Sequence, residues 1–203
     1  MGDFNMILSK LINICFILLI TLFSTVINAE NVEIQKLYGI KGPKLVYHKI
    51  SNKSRTYKVK GISYTTIPYN IAKEYTKVGK ASYYHNKFTG RKTSSGERYD
   101  PNRYTAAHKT LPMNSYALVT NLRNGRKVIV KINDRGPFVK GRIIDLSRVA
   151  ARELGIIHQG IGQVRVEVFY VDAAGGLSGV GADSLMKLAK QSAVMKKVEK
   201  PIK

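Results

Sequence analysis

The chain has 203 residues, enough for one domain with extensions, and carries 34 Lys and Arg against 13 Asp and Glu, a net charge of +21. At 44% hydrophobic and 23% charged, its composition is globular rather than disordered. A field of that sign gathers anionic partners (nucleic acid, acidic lipid or an anionic wall polymer), and the single cysteine excludes a disulfide framework.

In chain order, residues 1–29 hold one Lys10, an apolar run from Leu11 to Phe23, and small or polar residues ending at Ala29. This is the layout of a secretory signal cleaved after Ala29, because the run is short of the roughly 20 residues of a spanning helix. Cys15 lies inside the run, and "INIC" lacks the Leu-x-small triplet of a lipidation site. The expected product is periplasmic, without thiol or lipid anchor, and export counts against nucleic acid as partner. Residues 30–56 are Lys- and Asn-rich and read as a basic leader, ordered at most in part.

The patterned domain is expected over 57–171. "RTYKVKGISYTTIPYN" (55–70) suggests a short hairpin. Strands are expected in 79–85, 116–122, 126–134, 142–147 and 162–171, where β-formers alternate with polar residues. Asn124-Gly125 reads as a two-residue hairpin turn with both residues at positive φ. Ser147 or Asp145 can cap a helix with Val149, Ala150 and Leu154 on one face and Gly155 as its stop. Short strands, one short helix and Gly-rich connections predict a small β-barrel. Beyond it, 172–184 reads as a Gly/Ala/Ser linker and 184–200 as either a basic amphipathic helix or a solvated tail.

The patterned region has few acids. Glu153 and Glu167 read as surface charges, and Asp145 as a helix cap. Asp134 shares parity with Val128, Val130 and Ile132, which predicts an acid on the inward row at the barrel rim; a turn Asp bonding the amides of "RGP" is the alternative. Glu97 lies in the polar loop "TSSGERYD", and His108 between strands. The four histidines show no metal-ligand spacing, and no G-x-S-x-G or Walker loop occurs. Neither metal nor cofactor is expected. An exported acid with few helpers suits glycosidic bond cleavage, where it protonates the leaving oxygen. Arg135 is expected to point toward substrate or solvent, since an inward guanidinium would favour the charged carboxylate.

The motifs "GERYD", "TAAHKTLP", "VTNLRNGR", "NDRGPF" and "RIIDLS", in this order between about Tyr57 and Tyr170, resemble the rare lipoprotein A (RlpA) family. The resemblance implies a mainly β fold, a six-stranded double-psi β-barrel like that of barwin and expansins, with one or two short helices. It implies an endolytic lytic transglycosylase that cleaves peptidoglycan glycan strands, favouring strands stripped of stem peptides, in wall remodelling and cell separation. A non-enzymatic, expansin-like wall-loosening protein is the alternative. Carried over by motif, Asp134, Glu97 and His108 become the catalytic candidates. Arg135, Asn133, Tyr83, Tyr84 and Thr105 become substrate-binding candidates, with Tyr83 replacing the more usual Trp as a sugar-stacking ring. Glycan strands are the implied partner, with division-site or membrane components possible for the basic tail and a monomer expected.

Overall fold

The computed structural model describes residues 39–198. The expected signal over 1–29, Cys15, the start of the leader and residues 199–203 lie outside the described residues.

A hairpin comes first, with β1 (Thr56–Val59) antiparallel to β2 (Ile62–Thr65). Its two-residue turn puts Lys60 at φ 48° and Gly61 at φ 79°, the left-handed pair that matches strand twist. The one-turn helix α1 (Tyr69–Ala72) leads to β3 (Thr76–Tyr83). Then come β4 (Thr105–His108), β5 (Tyr116–Asn121), β6 (Lys127–Asp134), β7 (Arg142–Leu146), helix α2 (Arg148–Leu154) and β8 (Gly162–Val171). The strand order is β3-β7-β4-β6-β5-β8, and β8 pairs back onto β3. The pairs β3/β7 and β4/β6 are parallel and the others antiparallel. The six strands therefore close into the double-psi barrel that the motifs imply, and closure leaves these strands no free edge.

The barrel interior is a dry aliphatic core. Val128, Val130 and Ile132 of β6 meet Ile144 and Leu146 of β7 and Val164, Val166 and Val168 of β8, all fully buried. Each such side chain contributes roughly 1.5–3 kcal/mol on burial. Helix α2 is capped as expected at both ends: Ser147 Oγ accepts from Ala150 N at 3.4 Å, and Gly155 adopts φ 70°. Its buried face is Ala150, Ala151 and Leu154, with Val149 only half-buried.

A second apolar layer lies on the outer face of β5, β6 and β8, where Tyr116, Leu118, Ile129 and Phe169 are buried with Ile40, Ala182 and Leu185. This layer changes the expected boundaries. The leader is laid along β6: Ile129 N donates to Lys41 O at 2.9 Å, and a Cβ at Gly42 would stand 2.7 Å from that of Ile129. The expected linker is largely structured too. Asp172 Oδ1 accepts from Ala174 N at 2.9 Å and Gly176 N at 2.8 Å, closing a turn that lets β9 (Leu177–Ser178) pair with the end of β8. Helix α3 (Val180–Val198) begins inside that stretch and buries Ala182 and Leu185 against the barrel.

The β5–β6 connection differs from the two-residue turn predicted. Asn121 N donates to Arg126 O, so four residues form the loop, and only Gly125 (φ 71°) of the pair is left-handed. Asn124 serves through its side chain, whose Nδ2 donates to Leu154 O at 3.0 Å and ties the loop to the end of α2.

Candidate active site

The site begins with an irregularity in β6. Ala106 pairs with Ile132, but the next residue, Ala107, pairs with Asp134, so Asn133 is an extra residue in the strand. A bulge of this kind re-aims the side chain that follows it. Ala107 in turn pairs with Asp145 of β7, and Asp145 with Ser82 of β3. Since Ile144 and Leu146 point into the core, this row (Ser82, Asp145, Ala107, Asp134) lies on the opposite, outer face. The predicted inward position of Asp134 is thereby corrected: simple alternation fails because the bulge resets it. Asp134 and Asp145 flank the small Ala107 on one surface.

Asp134 is held by four donors. Its Oδ1 accepts from Ser94 N (2.9 Å), Ser94 Oγ (2.7 Å) and Arg135 N (2.7 Å), and its Oδ2 from Tyr84 Oη (2.8 Å). The turn reading of Asp134 is thus right for one bond of four. The Ser94 donors arrive on a tight turn that closes with Thr93 N to Glu97 O at 2.8 Å and uses Gly96 at φ 90°. Ser95 N donates to Asn133 O at 3.1 Å, so the bulge residue anchors the turn that grips Asp134.

Glu97, on the same turn, is spent differently. Lys131 Nζ forms an ion pair with its Oε1, and Asn133 Nδ2 donates to its Oε2 at 2.9 Å. Burial pushes its carboxyl up, but the bonds from Lys131 and Asn133 outweigh burial and hold it below its ordinary value. Asn133, expected to bind substrate, is thus engaged with Glu97.

Asp145 does not cap α2, because Ser147 does. Ser82 Oγ donates to its Oδ1, Arg142 Nε stands 3.9 Å away, and Arg142 Nη1 donates to Ser82 Oγ at 2.7 Å. Burial raises the Asp145 carboxyl above its ordinary value; Ser82 and Arg142 oppose this, and the charge of Asp134 adds to it. Sequence reasoning missed Asp145 as a site residue. The available signal was its neighbour pattern: an acid between core-facing Ile144 and Leu146 must face out beside the next strand's polar row.

His108 is set behind this surface. It is 4% exposed, its Nδ1 accepts from Thr110 N (3.1 Å) and Leu111 N (3.0 Å), and its Nε2 faces Tyr75 Oη at 3.0 Å. Two N–H donors on Nδ1 fix the proton on Nε2. Burial, with Arg135 and Lys109 adding to it, pushes the ring pKa down to about 3, so it is neutral. The expected catalytic His is therefore an organiser of the 108–111 turn. Its carbonyl accepts from Arg135 Nη1 at 3.0 Å, as does that of Leu111 at 2.7 Å.

Arg135, expected to point toward substrate or solvent, directs its guanidinium away from the Asp134 carboxylate and is held there by protein groups. Its guanidinium is drawn onto these carbonyls and over the Tyr57 ring, 5.8 Å from the centroid. Tyr83 is also displaced from its expected role: it packs against the core, and its Oη donates to Ile157 O at 3.2 Å. Tyr84 is the ring at Asp134, in a cluster with Tyr99 (4.6 Å) and Phe88 (5.8 Å). Tyr57, Tyr64 and half-exposed Phe138 form a second aromatic group. Thr105 is buried in β4, in register with Lys131 rather than Asp134.

Residues 76–166 match the family model described as lytic transglycolase. The chain is 60% identical over 165 residues to the endolytic peptidoglycan transglycosylase RlpA of Pasteurella multocida, covering 81% of this chain and 56% of that protein. It is 59% identical over 156 residues to the RlpA of Haemophilus influenzae, covering 77% and 54%, and 56% identical over 114 residues to that of Neisseria meningitidis serogroup B, covering 56% and 47%. The chain spans about half the length of these curated relatives. Among solved structures it is similar to the Streptomyces papain inhibitor (TM-score 0.37, 24% identity, 45% of this chain and 92% of that one). It is also similar to an apo expansin of Clavibacter michiganensis (TM-score 0.40, 22% identity, 49% and 52%).

Proposed function

The chain belongs to the RlpA family, and from that premise we propose that it is an endolytic lytic transglycosylase cutting peptidoglycan between N-acetylmuramic acid and N-acetylglucosamine. The observation that carries this reading is the Asp134 carboxyl, fixed on an outer surface by Ser94, the Arg135 amide and Tyr84 of one group of aromatic rings, with a second group under the neighbouring Arg135 guanidinium. Rings beside a carboxyl suit a sugar, whose apolar C–H face stacks while the acid meets the bond to be broken.

In the proposed reaction Asp134 gives its proton to the leaving glucosamine oxygen as the bond from that oxygen to the muramyl anomeric carbon breaks. The muramyl 6-hydroxyl attacks the same carbon, and its proton returns to Asp134. The product is a 1,6-anhydro end, no water is consumed, and one carboxyl completes the cycle. Glu97, paired with Lys131, positions the turn that carries Ser94. His108 positions Arg135 through its carbonyl, and Asp145 is a second carboxyl facing the same surface. A periplasmic location, reached through the secretory signal read over 1–29, goes with this substrate. The exposed Lys187 and Lys190 of α3 would serve division-site or membrane components, and the protein would act as a monomer.

The test is to incubate the purified chain with glycan strands and search by mass spectrometry for 1,6-anhydromuramyl ends. They are expected from the wild type and not from Asp134→Ala. Equal yields from the two would remove Asp134 as the acid, and strands bound by the wild type and left uncut would transfer the protein to the non-cutting alternative.

A further inference from the structure

One cavity of about 230 Å³ lies beside the site. Four cations line it, Lys49, Lys53, Arg55 and Arg135, and no carboxylate does. Among the described residues none of the four is in a salt bridge. The walls are built rather than loose: Arg55 N donates to Thr66 Oγ1 at 2.8 Å, Thr66 N to Arg55 O at 2.9 Å, Ile67 N to Thr110 O at 2.8 Å, and Asn70 N to Asn52 Oδ1 at 3.0 Å. The apolar part of the lining is Ile50, Ile67, Pro112 and Met113.

Arg135 joins this cavity to Asp134. Its backbone N–H donates to the Asp134 carboxylate while its side chain lines the cavity. Nη1 is taken by the carbonyls of His108 and Leu111, which fixes the guanidinium and leaves donors of its five-donor fork for a ligand. Like charges lining one partly enclosed space with no counter-charge repel one another, and an anion relieves that repulsion. The apolar wall asks for an alkyl group next to the charge.

We infer that this cavity is a substrate subsite for a carboxylate on a methyl-bearing carbon, within one side chain's reach of the scissile bond. Peptidoglycan offers that chemistry twice: in the lactyl group of a peptide-free muramic acid, and in the terminal alanyl residue of a stem peptide. The inference takes its substrate from the transglycosylase reading and is tested by binding, so that the two fail separately.

The experiment uses the full chain carrying Asp134→Asn, so that no strand is cut, with and without Lys53→Gln/Arg55→Gln, both exposed positions. Affinities are measured for short glycans in four forms: free lactyl carboxylate, lactyl carboxamide, stem peptide ending in an alanyl carboxylate, and the same peptide amidated. Replacing two charge-assisted contacts is expected to weaken the cognate carboxylate about tenfold or more and leave its amide unchanged. Loss confined to the lactyl pair identifies the muramyl source, and loss confined to the peptide pair the alanyl source. Equal weakening of carboxylates and amides, or no weakening, overturns the subsite and leaves only a diffuse basic field. Wild-type failure to form anhydro ends would remove the transglycosylase reading without touching this result.

Discussion

The five-residue turn 93–97 grips Asp134 and carries Glu97, yet the two acids are employed in opposite ways. Glu97 meets an ammonium, and Lys131 and Asn133 occupy both its oxygens. Asp134 meets only neutral donors, two of them backbone amides, and its chain neighbour Arg135 turns its guanidinium onto carbonyls instead. An ion pair commits a carboxylate to holding the fold, whereas neutral donors orient a carboxyl and leave it able to exchange a proton with a substrate. The contrast assigns structure to one acid and chemistry to the other.

The sharpest way to break that contrast is to neutralise each acid in turn. Asp134→Asn keeps the shape and should lower the rate of anhydro-end formation by about 10³-fold, within the range for loss of a general acid–base group. Glu97→Gln should cost about tenfold or less in rate and appear mainly as a lower urea midpoint, because Lys131 loses its partner. Equal rate losses with unchanged stability would mean that Glu97 also acts on the glycan.

A smaller effect is expected behind the site. His108→Gln should destabilise the protein by about 2 kcal/mol at neutral pH, through loss of bonds to buried amides. Its pH signature has a definite sign. The unfolded ring takes a proton below about 6.5, whereas the folded ring resists until about 3. The unfolded state therefore binds the extra proton in that window, and stability falls as pH falls through it. Denaturant melts at stepped pH should show this acid sensitivity in the wild type and a flatter profile in the variant.

The smallest effect separates adjacent rings. Tyr84→Phe removes one donor from Asp134 and should lower kcat about tenfold at similar stability. Tyr83→Phe, which loses only a bond to Ile157 O, should leave kcat within about twofold and cost under about 1 kcal/mol. The reverse order would restore Tyr83 as the ring that contacts sugar.

Much of the barrel was legible. Strand alternation marked β5, β6, β7 and β8, and the Ser147 and Gly155 caps marked α2, because these depend on residues a few positions apart. Asp134 stood out because few acids occur in the patterned region and its strand ends there. The direction in which it faces was not legible. The bulge at Asn133 exists only in the pairing of β6 with β4, and no pattern within β6 records it. Asp145 was hidden for a similar reason, since its partner Ser82 lies 63 residues away. The leader and the expected linker looked unstructured because their apolar residues are sparse. They are sufficient only because β5, β6 and β8 offer a second apolar face on the outside of the barrel.

By itself, then, the sequence determined most of the segments that become strands, β4 and β9 apart, where α2 starts and stops, and which acid the chain places next to a turn, all through short-range periodicity, capping and turn chemistry. Only the tertiary structure decided that Asp134 faces out beside Asp145, that Glu97 is consumed by Lys131, that His108 is sealed and neutral, and that four cations meet in one cavity. Each of these depends on register between strands or on contacts across tens of residues, where geometry rather than local preference sets a side chain's environment.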